Sequence, residues 1–100
     1  KNKIELNKKI IMSSVISMFL GIIIRMYWEA DESTDAHIHA EYLEHHAVFS
    51  VPDGKILDGS LPRRQRNFVR AWISLHEDEL IANWELITTN EQLFKIDPLK

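Results

Sequence analysis

The pattern of apolar and polar positions changes period near the middle of the chain. Residues 18–28 read Met-Phe-Leu-Gly-Ile-Ile-Ile-Arg-Met-Tyr-Trp, a β-branched and aromatic run that predicts a strand. One face would carry Ile22, Ile24, Met26 and Trp28, and the other Ile23, Arg25 and Tyr27. Both faces are largely apolar, which suits a central position in a sheet. An acidic loop over 29–35 follows. His37-Ile38-His39-Ala40-Glu41-Tyr42 then alternates with period two, and residues 45–51 form a further apolar run. Only Leu43-Glu44 separates the two, so they should form a hairpin. Pro52-Asp53-Gly54 is a turn signal, because proline presets φ and glycine accepts the left-handed conformation. Residues 55–58 would be a fourth strand, closed by Asp58-Gly59.

From there the period is helical. Val69, Trp72, Ile73, His76, Leu80, Trp84 and Ile87 recur at three- and four-residue steps. Ser60 can cap the start, and Pro62 falls in the first turn, where its missing N–H costs nothing. Inside the stripe, Ser74-Leu75-His76-Glu77 matches a capping box, with Asp78 and Glu79 behind it. A helical segment over 61–88 follows, with a kink near Leu75 to Glu77 left open. The expected fold is α+β: an antiparallel sheet of about four strands packed against that long C-terminal segment.

A continuous helix of that length would run about 40 Å, against about 20 Å for a six-residue strand. Its second half would overhang the sheet. Leu80, Ile81, Trp84 and Ile87 would then need cover from the tail over 89–100, from the N-terminal residues, or from another subunit. A bare stripe of this kind is unusual on a monomer, which favours a homodimer or a small cognate protein partner.

The 100 residues are enough for one domain, expected over 12–100 after an extension over 1–11. The 45% hydrophobic and 27% charged content is that of a chain with a core, not of a disordered one. Without cysteine there is no disulfide and no thiolate metal site, and a reducing compartment such as the cytoplasm is favoured. The formal net charge of −3 disfavours a broad nucleic-acid surface. Residues 10–24 carry no charge and follow Lys8-Lys9, as in a signal peptide. The run is short for a membrane span, Ser13, Ser14 and Ser17 interrupt it, and no small-x-small site follows. A buried first strand and no membrane association are expected instead.

Two clusters could carry chemistry. In a strand, His37, His39 and Glu41 share a face, and pairing across a Leu43-Glu44 tip sets Glu41 opposite His46 and His37 opposite Ser50. Imidazoles beside a carboxylate suit a divalent metal such as zinc, held by His37 and His39, or general acid–base catalysis near neutral pH. The plainer reading is a half-exposed polar face of wet or hydrogen-bonded histidines. The second cluster is Arg63, Arg64 and Arg66, with Arg70 one turn on. Cations at a helix N-terminus oppose the macrodipole, so their presence calls for a reason. They could hold phosphate, RNA or an acidic partner, or pair with Asp53, Asp58 or the loop over 29–35.

Gly21-Ile-Ile-Ile-Arg-Met-Tyr, His37-Ile-His-Ala-Glu-Tyr, Lys55-Ile-Leu-Asp-Gly-Ser-Leu-Pro-Arg-Arg, Trp72-Ile-Ser-Leu-His, Asn83-Trp-Glu and Lys95-Ile-Asp-Pro-Leu occur in that order. Together they resemble the small bacterial proteins grouped as domain of unknown function 4160, from residue 12 to the end. Such proteins are similar to one half of a two-gene, toxin–antitoxin-like unit. The family usually shows Pro-Pro-His-Phe-His-Ala where this chain has Asp35-Ala36-His37-Ile38-His39-Ala40. It often has glycine at the hairpin tip, where this chain has Leu43. The overhanging apolar stripe favours an interaction module that binds itself or a cognate small protein, and the resemblance implies one component of a toxin–antitoxin-like pair. The alternative is a small nuclease or metal-dependent hydrolase, with His37 and His39 at its centre and the arginines holding phosphate.

Overall fold

A computed structural model describes residues 10–29 and 35–100. The strands are β1 (Ile10–Phe19), β2 (Ile22–Glu29), β3 (His37–Tyr42), β4 (His45–Ser50) and β5 (Ile56–Ser60), followed by α1 (Arg63–Leu75) and α2 (Glu77–Thr88). The strands form one antiparallel sheet in sequence order. The α+β class stands, with five strands in place of about four.

The extra strand lies in the apolar run that the pattern predicts as one strand over 18–28. Leu20 has φ 52° and Gly21 has φ 80°, so the chain reverses there and Phe19 pairs with Ile22. Two left-handed central residues fit the right-handed twist of a two-residue hairpin. Asn-Gly is the usual signal for such a turn, and Leu-Gly inside a continuous apolar run conceals it. Ile10 and Ile11, expected in an extension, open β1, and residues 1–9 of that extension lie outside the described residues.

Alternation then sorts the sheet into two faces. Ile22, Ile24 and Met26 of β2, Ile38 and Ala40 of β3, and Ala47 and Phe49 of β4 are almost fully buried. They join Val69, Trp72 and Ile73 of α1 and Leu80 and Ile87 of α2 in one core. The β3–β4 hairpin has the expected tip and register, with Glu41 opposite His46 and His37 opposite Ser50. β5 does not end at Asp58-Gly59 but runs to Ser60. Gly59 continues the strand at φ 72°, where a Cβ would sit 2.2 Å from the His46 carbonyl oxygen. Ser60, expected as a helix cap, therefore belongs to the strand. Pro62 stands before α1, and no side chain caps that helix.

The helical segment over 61–88 is two helices. His76 leaves the helical region at φ −129°, ψ 32° and serves both as the end of α1 and the start of α2. Its imidazole pairs with the Glu79 carboxylate, and its carbonyl accepts from the Leu80 amide to open α2. The break falls two residues after Ser74, the start of the capping-box pattern. It also removes the predicted overhang. Leu80 and Ile87 are fully buried in the chain's own core, and Ile81 and Trp84 are half-buried against it.

The tail supplies much of the cover. Ile96 is buried, and Leu93 and Leu99 pack on the core. Several polar ties hold this irregular segment, among them Lys95 Nζ donating to the Val15 carbonyl at 2.8 Å. The Asn83 amide donates to the Phe94 carbonyl at 2.9 Å and accepts from the Phe94 amide at 3.0 Å. The Trp72 indole donates to the Asp97 carbonyl at 2.7 Å, and the Ile96 amide donates to the Ile16 carbonyl at 2.8 Å. Asn83 is fully buried, so its removal strands two backbone groups. Asn83→Leu, which keeps the branching of the side chain but removes its polar atoms, is expected to cost about 2 kcal/mol or more in urea unfolding. It should also expose the tail to limited proteolysis. An unchanged midpoint and cleavage pattern would contradict this role.

Candidate functional site

The sheet face opposite the core carries the alternate residues: Arg25 and Tyr27 of β2, His37, His39 and Glu41 of β3, and His46 and Val48 of β4. Register brings Arg25 opposite His39 and Glu41 opposite His46. The strand alternation thus assembles the predicted cluster, with Arg25 and Tyr27 added from β2.

The rings form a connected series. Tyr27 stacks on His39 with centroids 4.0 Å apart. His39 lies 5.3 Å from His37 and 5.2 Å from His46. His37 in turn lies 5.0 Å from Trp84 of α2. The histidines are therefore not wholly clear of the helical layer: His37 opens its strand, and Trp84 covers it there. His37 is buried, His39 half-buried and His46 exposed.

Hydrogen bonds orient these rings. His37 Nδ1 lies 2.9 Å from the Asp35 carbonyl oxygen. A carbonyl only accepts, so Nδ1 carries the proton and Nε2 of the neutral ring keeps its lone pair. His39 Nδ1 and His46 Nε2 are 3.0 Å apart, so the two imidazoles share one proton between them. Glu41 accepts from Arg25 Nε at 2.9 Å, an ion pair about one-third exposed on each side. Arg25, Tyr27 and His46 extend the expected trio, and Arg25 could be anticipated from its place on the second face of β2.

Among the described residues no set of three or more histidine or carboxylate side chains is arranged to hold an ion. Glu41, a carboxylate on the same face, is engaged by Arg25. The hydrogen bonds orient His37 and the His39–His46 pair as bases or hydrogen-bond donors. A double-mutant cycle on His39→Ala and His46→Ala should return a coupling of about 0.5–1 kcal/mol in chemical unfolding. Additive losses would show that the rings touch without a hydrogen bond.

The arginines are elsewhere. Arg63, Arg64, Arg66 and Arg70 lie on α1, whose buried residues pack on the core face of the sheet, whereas His39 and His46 stand on the opposite face. The expected pairing with Asp53 or Asp58 is not seen: among the described residues none of the four makes an ion pair, and residues 30–34 of the acidic loop lie outside the described residues. Arg70 Nε donates to the Gly54 carbonyl at 3.1 Å, and the Arg64 guanidinium lies 5.5 Å from the Phe68 ring centroid. Arg66 Nε is buried without an acceptor.

Comparison with known proteins places this architecture in a family. The family model described as Domain of unknown function (DUF4160) matches residues 21–85, well over half of the chain, and the chain belongs to that family. The match spans β2 to most of α2; β1 and the tail flank it. No curated protein and no solved structure matches the chain. Among the described residues no helix is long and apolar enough to cross a membrane.

Proposed function

We propose that this protein is an interaction module that binds itself or a small cognate protein, as one half of a toxin–antitoxin-like pair. The overhanging helical stripe predicted from sequence does not support it, since that stripe lies in the core. The observation that carries the reading is at the other end of the sheet. Leu20 and Leu43 occupy the tips of the β1–β2 and β3–β4 hairpins, each at φ 52°. They are 55% and 79% exposed, beside Met18 at 62%. Antiparallel pairing of β2 with β3 brings the tips together, and a Cβ on Gly21 would stand 3.3 Å from the Tyr42 ring.

Each leucine breaks two local rules. A left-handed backbone costs a leucine about 1–2 kcal/mol, where asparagine or glycine fits easily. Each also leaves apolar surface in water. Two such departures on adjacent tips gain nothing for the isolated fold, and a protein partner that covers them would offset both. Leu20→Asn and Leu43→Asn are therefore expected to raise the melting temperature while weakening the complex with the adjacent gene's product. The complex is measured by co-expression and sizing of the purified pair. A stable pair that tolerates both substitutions would refute this placement, and failure of the neighbour to bind, with no self-association, would refute the module itself.

The second reading is a small nuclease or hydrolase using His37 and His39. The oriented imidazoles favour it; the four arginines expected to hold phosphate lie on α1 and not beside them, and Arg25, the cation on their own face, is engaged by Glu41. Toxicity on expression that disappears in His39→Ala would support this reading, and toxicity unchanged in the double His37/His39 alanine variant would exclude it.

A further inference from the structure

The charges of the helical layer are segregated along the chain. α1 contains Arg63, Arg64, Arg66 and Arg70 and no acidic residue. α2 begins with Glu77, Asp78 and Glu79. The Glu79 carboxylate is taken by His76; Glu77 and Asp78 make no ion pair among the described residues. Each arrangement matters for its own helix. The acidic turn suits the positive end of α2, whereas three cations stand at the positive, uncapped end of α1. What α1 lacks at its start is what α2 carries at its own.

One flank of α1 is also apolar. Arg64, Phe68, Ala71 and Leu75 fall at i, i+4, i+7 and i+11, one narrow stripe that borders the buried face of Val69, Trp72 and Ile73, with Phe68 packed against the core. Ala71 is exposed, Phe68 is half-buried, and Leu75 is 70% exposed. Arg63, Asn67, Arg70 and Ser74 flank the stripe on one side. Nucleic acid would use the arginines but not this apolar line, and the net charge of −3 opposes it.

We propose that α1 packs antiparallel against α1 of a second copy about a two-fold axis. This specifies the self-association half of the proposed function. Centring the crossing between Phe68 and Ala71 sets Phe68 against Ala71 of the second copy and lays Leu75 along the alkyl stem of its Arg64. Arg63 and Arg64 then meet Glu77 and Asp78 just beyond the far end of the opposing α1. Because the axis is two-fold, the same contacts form twice. Each α1 start receives the acidic groups it lacks, and the two helix dipoles oppose each other.

Sedimentation of the full chain over a concentration series, at low and high salt, tests this. A dimer that dissociates on dilution and weakens with salt is expected. The R63E/R64E variant and the E77K/D78K variant should each be monomeric, with the dissociation constant raised on the order of tenfold or more. Mixed together they should form a heterodimer, since both contact sets then join opposite charges. That rescue also shows that each variant is folded. A wild-type chain that stays monomeric overturns the pairing while leaving cognate-partner binding at the hairpin tips standing. A dimer that survives either variant, or variants that stay monomeric when mixed, overturns it equally.

Discussion

The buried amide of Asn83 decides how this fold closes. Five strands and two helices leave one side of the core open beside β1, and the irregular tail fills it. An irregular segment cannot meet its own backbone hydrogen bonds, and burying unpaired amides and carbonyls is costly. Asn83 answers for Phe94 with a donor and an acceptor at once, as a neighbouring strand would. With Phe94 held, Ile96 drops into the core and its amide reaches the Ile16 carbonyl, while the Asp97 carbonyl meets the Trp72 indole. Leu80, Asn83 and Ile87 lie on one side of α2, so the polar clamp stands between two apolar anchors.

The break at His76 makes that clamp reachable. An unbroken helix from Arg63 would carry Asn83 about 30 Å from its start, beyond the end of the sheet. Ending α1 at Leu75 returns α2 to run against β2, where its apolar side finds the core. The same break creates the charge boundary of the helical layer, because the acidic turn that starts α2 directly follows a helix without a single carboxylate. One local departure from helical geometry therefore completes the core and leaves unlike charges at the two ends of an exposed helix.

Much of this was legible in the pattern. Period-two alternation placed His37, His39 and Glu41 on one face, and the tip at Leu43-Glu44 fixed the pairing of Glu41 with His46. The helical period located the buried Val69, Trp72 and Ile73. What escaped were places where one residue type serves an unexpected geometry. Leu20 adopts a left-handed turn, so a ten-residue strand merged with its neighbour in a single apolar run. His76 ends a helix without any helix-breaking chemistry. Asn83 is a polar residue at a core position of the helical repeat, and that mismatch was the available signal. The family motif Lys95-Ile-Asp-Pro-Leu, read as a closing sequence, contains both residues whose backbones tie the tail to β1 and Trp72.

The two clusters singled out for chemistry stand apart in the fold, and this bears on which function the fold can serve. Catalysis on a phosphate ester needs bases and cations around one reacting centre, within hydrogen-bond reach. Here His39 and His46 stand on the sheet face away from the core, with His37 against Trp84, while the four guanidinium groups of α1 belong to the helical layer; Arg25, the cation beside His39, is engaged by Glu41. Association has no such requirement, because separate surfaces can each take a partner. The hairpin tips hold apolar side chains in backbone conformations that disfavour them, and α1 holds unmatched charge beside an apolar line. Both are costs to an isolated chain that burial against another protein would offset, and the division that weakens the enzyme leaves both surfaces intact.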